Sequence, residues 1–337
     1  MNSKPTLFFG ELLLRLGAPA PEALLQSPRL EVHVGGAEAN VAVGLASLGH
    51  QTAMVSAVPD NVLGRAAVAA IRARGVDCRH VQVNPGRMGL YFLSPGASLR
   101  APEIVYDRVG SSFSLCTPNS FDWDALLAGA GRLHLSGITP ALGPISADVA
   151  LAAARAARRQ GIPVSFDGNY RAMLWERWDS NPQAILHELF GMADILFGNH
   201  RDISLVLGQT LSGDGPQRRR AAAQAAFAAF PKLKLIASTS RHVESADCHR
   251  IAARIDTPSD EFQTDEVQVP GIVDRIGAGD AFAAGVLHSV LRDETIAQMA
   301  KNGLALTCLK HSLPGDASLF TADNLAAFDA DNLDVRR

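Results

Sequence analysis

Short apolar runs alternate with helical segments along most of this 337-residue chain, and this alternation is the strongest constraint on its fold. Thr6–Phe9 is an apolar run of strand length, and Ala37–Leu48 has apolar residues at helical spacing. A strand at Leu133–Ser136, a helix at Ile145–Arg159 and a strand at Pro163–Phe166 continue the pattern. Because parallel strands are joined by helix-length crossovers, these units predict a mainly parallel sheet with helices on both faces.

Further predicted elements extend the same alternation toward the C-terminus. Ligands of such sheets bind where the loops gather, at the carboxyl ends of the strands. The further strands are Thr52–Val58, Ile195–Phe197 and Leu233–Ala237, and the further helices are Ala184–Gly191, Gln217–Phe230, Ala278–Leu291 and Thr295–Lys310. Late antiparallel strands are expected at Ile251–Ile255 and Glu266–Val269.

Three strand-like runs with no helix between them interrupt the alternation. They are Val81–Val83, Met88–Leu93 and Glu103–Val109, and they are separated by turns of the Asn-Pro-Gly and Pro-Gly type. We therefore expect a small antiparallel sheet to be inserted into the parallel one.

Composition and charge exclude several classes of protein. A formal net charge of −3 gives no electrostatic reason to expect nucleic acid or an anionic membrane as a partner. No apolar run approaches the roughly 20 residues that span a bilayer, and the N-terminus has no signal-peptide pattern. Cys78, Cys116, Cys248 and Cys308 lack metal-type spacing, so we interpret them as free thiols of a cytoplasmic protein.

The segment Gly277-Ala278-Gly279-Asp280 opens a predicted helix with two glycines and a carboxylate. A helix N-terminus offers unpaired N–H groups and a partial positive charge, and glycine lets a phosphate approach them. A carboxylate in the first turn can accept a proton from a hydroxyl that attacks phosphorus. Spacing alone slightly favours an acidic, glycine-rich helix start of purely structural importance. No Walker-type or Gly-x-Gly-x-x-Gly nucleotide motif is present.

Val273–Gly285 resembles the C-terminal signature of the ribokinase-like (PfkB-type) carbohydrate kinases, and Gly35–Ala42 resembles their N-terminal signature. The two signatures stand in the right order, and the resemblance covers nearly the whole chain. It implies an α/β fold of the ribokinase-like three-layer type, with a mainly parallel central sheet and a small β-strand lid. It also implies ATP with Mg²⁺ as phosphoryl donor and Asp280 as catalytic base. Gly277, Ala278 and Gly279 would stabilise the transferring group.

The same resemblance implies a division of the chain. The lid is expected in the inserted segments, the remainder forms one nucleotide- and substrate-binding domain, and the family implies a homodimer or higher homo-oligomer formed through the lid. The lid comprises 12–35 and 81–111, the large α/β domain comprises 1–11, 36–80 and 112–330, and the tail is 331–337.

Four stretches in the middle of the chain are similar to 2-keto-3-deoxygluconate kinases, namely 89–92, 105–108, 133–142 and 167–175. This similarity implies transfer of the ATP γ-phosphoryl group to the terminal hydroxyl of 2-keto-3-deoxygluconate, which gives the 6-phosphate. Guanidinium groups suit the carboxylate of such a sugar acid. The implied substrate-binding residues are Arg108 and Arg171 for the carboxylate, with Gly35, Gly36, Asn40, Tyr91, Tyr106, Ile138 and Asp316 around the rest of the sugar.

The nucleotide side departs from the family pattern. Asn199 and Asp202 match an Asn-x-x-Glu motif in which Asp replaces Glu, and Asp202 can still hold a water of the magnesium shell. Around Ser238, Ser240 and Arg241 the usual glycine turn is missing, so either Arg241 replaces backbone donors at the phosphates or the segment serves another ligand. The helix that contains Asn302 resembles the adenine wall.

The sequence leaves open whether the protein binds a monovalent cation. Asp274 begins the signature at the position where relatives often carry an activating K⁺, but Arg275 replaces their usual threonine. Two other functions also remain open. A fructokinase-like or other sugar kinase on this scaffold would not need paired arginines. A catalytically weak, sugar-acid-binding regulatory protein would explain the altered nucleotide motifs.

Overall fold

The computed structural model describes residues 4–211 and 215–329, so the predicted tail 331–337 lies outside the described residues. The strands are β1 Thr6–Phe9, β2 Leu13–Gly17, β3 Glu31–Gly35, β4 Thr52–Val58, β5 Asp77–Val83, β6 Gly89–Ser94, β7 Glu103–Asp107, β8 Arg132–Ser136, β9 Val164–Asp167, β10 Ile195–Phe197, β11 Leu235–Ser245, β12 Cys248–Asp256, β13 Glu261–Gln263 and β14 Val267–Pro270. The helices are α1 Ala37–Ser47, α2 Val62–Arg72, α3 Trp123–Leu127, α4 Pro144–Arg159, α5 Ala172–Trp175, α6 Pro182–Met192, α7 His200–Leu207, α8 Gly215–Ala229, α9 Ala278–Leu291, α10 Ile296–Lys310 and α11 Ala322–Ala326.

The large sheet has the strand order β13-β12-β11-β10-β9-β8-β1-β4-β5, and β14 pairs with β12. All pairs from β11 to β5 are parallel, whereas β12 pairs antiparallel with β11, β13 and β14. The chain leaves β1 toward β4 on one side and toward β8 on the other. The crevice at the carboxyl end of β1 is therefore a topological switch point, where such sheets bind ligands.

Helices cover both faces of the large sheet, because successive strand residues point to opposite faces. Phe8 packs in one buried cluster with Leu45 of α1 and Phe282 of α9. Its neighbour Phe9 packs in the other cluster, where the Trp123 ring lies 4.8 Å away edge to face. The predicted three-layer architecture is thus confirmed. In residues 4–211 and 215–329, no helix has the length and apolar character needed to cross a membrane.

The small sheet has the order β3-β2-β6-β7 and differs from its prediction in two ways. Its central pair β2–β6 is parallel, so the sheet is mixed. The expected third run, Val81–Val83, is the end of β5 and pairs with β4 in the large sheet, so its assignment to the small sheet was wrong. The physical reason is α2, which forms a helical crossover from β4 and so delivers β5 parallel to it.

A buried ion pair attaches the small sheet to the large one. Glu11 follows β1 and Arg108 follows β7, and they are only 2% and 4% exposed. The Nε of Arg108 donates to the Glu11 carboxylate. Gly89 begins β6 directly against this carboxylate, since a Cβ there would lie 2.2 Å from Glu11 Oε1. The pair therefore fixes the distance between the two sheets at the mouth of the switch point.

We expect Arg108→Ala to lower the free energy of unfolding by about 3–5 kcal/mol, because it leaves the Glu11 charge buried and unpaired. Urea denaturation measures the loss. Arg65→Ala is the matched control, since it breaks the exposed Arg65–Asp60 pair of 2.9 Å and should cost less than about 1 kcal/mol. Equal losses in the two variants would contradict a structural importance of the buried pair.

Candidate active site

A cleft of about 1070 Å³ opens at the switch point. Residues from the loops after β9 and β10, from β11 and from the starts of α1 and α9 line it on the side of the large sheet. Leu13, Tyr91, Ile104 and Tyr106 line it on the side of the small sheet, where they form one apolar cluster. The cleft therefore has a polar floor and an apolar cover.

Most of the predicted site residues line this cleft. Two of them, Gly35 and Asn302, do not line it. The predicted residues that do are Gly36, Asn40, Tyr91, Tyr106, Arg108, Ile138, Arg171, Asn199, Asp202, Ser238, Ser240, Arg241, Gly277, Ala278, Gly279, Asp280 and Asp316.

Two glycines stand at the start of α9, and each position needs glycine for a different physical reason. Gly277 has φ +77°, and a Cβ there would lie 1.6 Å from the backbone oxygen of Asp316, so only glycine fits. Gly279 has no atom within 4 Å of an added Cβ, yet it lines the cleft. Its missing side chain therefore leaves the helix N-terminus open toward a ligand.

Asp280 lies in the first turn of α9, and its side chain is hydrogen-bonded to a residue of the N-terminal signature. The Nδ2 of Asn40, on α1, donates to Asp280 Oδ2 at 2.7 Å, although the two residues are 240 positions apart. Gly36 permits this approach of α1, because its φ is +138° and a Cβ would lie 2.1 Å from the backbone oxygen of Glu11. The hydrogen bond aims the carboxylate at the cleft.

Burial raises the pKa of Asp280 to about 8, and the nearby carboxylates of Asp167 and Asp316 raise it further against the lowering effect of Asn40 and Arg171. Burial also raises the pKa of Asp167 to about 7, although Arg171 opposes the shift. Negative charge is thus crowded on one side of the cleft. A cation bound there would favour the ionised form of both carboxylates.

Two predicted substrate residues bind each other. The Tyr91 hydroxyl donates to Asp316 Oδ2 at 2.6 Å, and Arg15 Nε pairs with Asp316 Oδ1 at 3.1 Å. A Cβ on Gly35 would lie 2.4 Å from Asp316 Oδ2, so Gly35 makes room for this carboxylate and does not face the cleft. Packing against Asp316 thus explains the glycine at position 35, whereas its contact with the sugar stays a prediction.

The two predicted carboxylate-binding arginines have different surroundings. Arg108 uses its Nε for Glu11, and no hydrogen bond among the described residues uses its two terminal nitrogens. Arg171 is exposed in the loop after β9 and donates only to the backbone oxygen of Tyr170, at 3.2 Å. In the described part of the chain no ion pair involves it. Its charge is therefore available to an anionic ligand.

Asn199 and Asp202 form the capping box of α7. Asn199 Oδ1 accepts from the Arg201 N–H at 2.8 Å, and Asp202 Oδ2 accepts from the Asn199 N–H at 2.8 Å. Burial raises the pKa of Asp202. Within 4–211 and 215–329, no group of three His, Cys, Asp or Glu side chains is arranged to hold a metal. The Asp167 and Asp202 pair fits Mg²⁺, which usually binds one or two carboxylates and keeps waters or phosphate oxygens.

A strand occupies the position of the missing glycine turn. β11 continues to Ser245 and folds back as β12, so that Ser238, Ser240 and Arg241 line the cleft from a rigid hairpin. Arg275 lies near them, and its pKa is lowered by burial and by the Arg241 and Arg171 charges. Uncompensated positive charge of this kind marks a site for an anion.

Arg218 and Arg219 also line the cleft and were not predicted. The run Arg218–Arg220 at the start of α8 was the available signal. Consecutive helical residues point in different directions, and Arg220 turns away to pair with Asp256 at 3.1 Å and with Glu261. Sequence spacing alone does not tell which of the three faces the cleft.

Asn302, a predicted nucleotide-binding residue, is not among the residues that line the cleft. Its Nδ2 donates to Ser289 Oγ at 2.8 Å and to Glu294 Oε2 at 3.0 Å, which fastens α10 to the end of α9. Thr307 of the same helix and His311, which directly follows the helix, line the cleft instead. The cleft-facing side of α10 thus begins more than one turn further along.

Comparison with known proteins agrees with this geometry. Residues 6–321 match the pfkB family of carbohydrate kinases, and the chain belongs to that family. It is 30% identical over 317 residues to the 2-dehydro-3-deoxygalactonokinase of Haloferax volcanii, and 94% of each chain is covered. It is 29% identical over 326 residues to the 2-dehydro-3-deoxygluconokinase of Bacillus subtilis, with 95% of this chain and 94% of that one covered.

Comparison with solved structures finds relatives of the same kind. The crystal structure of 2-dehydro-3-deoxygluconokinase from Thermotoga maritima has a TM-score of 0.90 to this chain at 33% identity. The match covers 96% of this chain and 98% of that one. The predicted ribokinase-like fold is therefore confirmed, together with the family.

The burial of Asp280 predicts a cost in stability. Because its pKa rises from 3.8 to about 8, the unfolded chain binds fewer protons than the native one between these values, and stability falls as pH rises. Asp280→Asn lacks this titration. Its Tm should exceed the wild-type Tm increasingly from pH 5 to pH 8, by at least about 3 °C at pH 8. Scanning calorimetry tests this, with the exposed Asp148→Asn as control. A difference that does not change with pH would contradict the prediction.

Proposed function

We propose that this carbohydrate kinase transfers the γ-phosphoryl group of ATP to the terminal hydroxyl of 2-keto-3-deoxygluconate and so forms the 6-phosphate. The observation that carries the proposal is the half-buried Asp280 carboxylate, held by Asn40 at 2.7 Å in a cleft that Arg171 also lines. Among the described residues, Arg171 forms no ion pair within 4.0 Å. The names of the relatives support a sugar acid as substrate.

In this mechanism Asp280 accepts the proton of the sugar hydroxyl as the new oxygen–phosphorus bond forms and the bond to ADP breaks. The backbone N–H groups of Gly277, Ala278 and Gly279 lie at the helix N-terminus, where its dipole stabilises the charge of the transferring group. Mg²⁺, held through water by Asp202 and near Asp167, would neutralise phosphate charge. The cover from the small sheet limits hydrolysis of ATP by water.

The phosphates of ATP are bound in this proposal by side chains of the β11–β12 hairpin and its neighbours. Arg241 and Arg275 supply charge, Ser238 and Ser240 supply hydroxyl donors, and Asn199 stands at the start of α7. Guanidinium groups form paired hydrogen bonds with phosphate oxygens, so they are a suitable replacement for backbone donors of a glycine turn.

The sugar acid lies against the small sheet in this proposal. Arg171 binds the carboxylate, and Arg108, oriented by Glu11, adds its terminal nitrogens. Tyr106 and Ile138 give apolar contact, while Asn40 and the backbone of Gly36 reach hydroxyl groups.

We further propose that the small sheet is a dimer contact. β3 and β7 are its two edge strands, and they expose Val32 by 59% and Val105 by 47%. Exposed edges with apolar residues are typically covered by another chain or element.

Asp280→Asn should lower kcat by about 10²–10⁴-fold, as expected for a lost general base. In the wild type, kcat/KM should rise about tenfold per pH unit up to a midpoint near 8, because only the ionised carboxylate accepts the proton. The kcat profile should have a lower midpoint, since Mg²⁺ favours the ionised form. A coupled ADP-release assay with 2-keto-3-deoxygluconate measures both. A variant with wild-type rate would disprove the assignment.

Arg171→Ala should lower kcat/KM for the sugar acid by roughly 10–100-fold, because a charge-assisted contact is lost. With fructose, the change should stay below about threefold. Arg171 is a better test than Arg108, whose removal also destabilises the fold. Arg159→Ala, an exposed arginine of α4, is the control. Equal losses on the acid and on the neutral sugar would favour a fructokinase-like enzyme.

Calorimetry that finds sugar-acid binding but no binding of an ATP analogue would favour a regulatory protein.

A further inference from the structure

A lysine ammonium is completely buried beside the catalytic turn. Lys310, the last residue of α10, is 0% exposed. Its Nζ donates to the backbone oxygen of Leu313 at 3.0 Å and to that of Asp274 at 3.3 Å. Lysine is almost never fully buried without such partners. Both partners belong to loops that determine the position of the α9 N-terminus.

The two loops are joined at several points. Asp274 Oδ2 accepts from the Gly315 N–H at 3.0 Å, and its Oδ1 accepts from the Ile276 N–H at 2.9 Å. Gly277 follows at once, pressed against the backbone oxygen of Asp316. The ammonium therefore bridges the 273–277 loop and the 310–316 loop directly before the first catalytic amides.

The charges of this cluster already balance. Arg15 pairs with Asp274 at 2.6 Å and with Asp316 at 3.1 Å, so Arg15 and Lys310 supply two positive charges against two negative ones. Arg15, Lys310 and Asp316 are buried, and the side chain of Asp274 is 12% exposed. Adding another cation here would leave an uncompensated charge in the interior, which is strongly unfavourable.

Backbone carbonyl oxygens are also the ligands that replace the hydration shell of K⁺ in proteins. Here the carbonyls of Asp274 and Leu313 are already occupied by an ammonium. We propose that Lys310 is a built-in monovalent cation, which positions the catalytic turn and makes the kinase independent of added K⁺. The proposal deepens the proposed function, since it concerns the same phosphoryl-transfer site. The residues around Asp274 therefore do not fit an additional K⁺.

The test compares KCl, NH₄Cl and tetramethylammonium chloride at equal ionic strength in the ADP-release assay. Wild-type kcat should change by less than about twofold among the salts. Lys310→Ala removes the charge and opens space, so its kcat should fall at least about tenfold in tetramethylammonium and recover severalfold with NH₄⁺ or K⁺. Lys310→Met keeps most of the volume, so it should lose rate without this recovery. Lys301→Ala, an exposed lysine of the same helix, is the control and should behave like the wild type.

Stimulation of the wild-type kcat by K⁺ of more than about twofold would overturn the proposal. So would a Lys310→Ala variant that is equally slow in every salt. The Tm supplies a readout that needs no substrate, so the proposal remains testable if the protein does not phosphorylate the sugar acid. The wild-type Tm should be equal in KCl and tetramethylammonium chloride, whereas the Tm of Lys310→Ala should rise in KCl. A K⁺-dependent wild-type Tm would also overturn the proposal.

Discussion

The buried carboxylate of Asp316 is the point at which the two sheets and helix α9 meet. It binds Tyr91 and Arg15 from the small sheet, and the backbone oxygen of the same residue restricts position 277 to glycine. A residue that is only 3% exposed thus connects the cover of the cleft to the start of α9. Because breaking a buried ionic contact costs several kcal/mol, these parts hold one relative arrangement.

The sequence predicted the parts of the molecule that are determined by residues close together in the chain. Apolar periodicity identified the parallel sheet and its helices, and the glycines of both signatures identified the turns. It failed where partners are distant in the chain. The strand Val81–Val83 has no local sign of the sheet it joins, and Asn302 has no local sign of which helix face meets the cleft. The link from Arg15 to Asp274 spans 259 residues, so neither spacing nor propensity reveals it.

Charged side chains divide the cleft into an acidic end and a basic end. Asp167, Asp202 and Asp280 crowd negative charge at the floor, where burial raises the pKa of each. Arg241 and Arg275 crowd positive charge beside them. Neither group is neutralised by the other, so both remain available to ligands. A magnesium–nucleotide complex carries both signs of charge, and its binding would relieve the repulsion at the two ends together.

The pair between Arg108 and Glu11 also has an evolutionary consequence. A change at either position leaves a buried charge without its partner, so each single step passes through a less stable protein. A change at both positions, with an apolar pair of similar volume, avoids that intermediate. If substrate preference depends on Arg108 as proposed, it can therefore change without a loss of stability only together with residue 11. At Arg171, which forms no buried ion pair among the described residues, the proposed specificity is free to change one residue at a time.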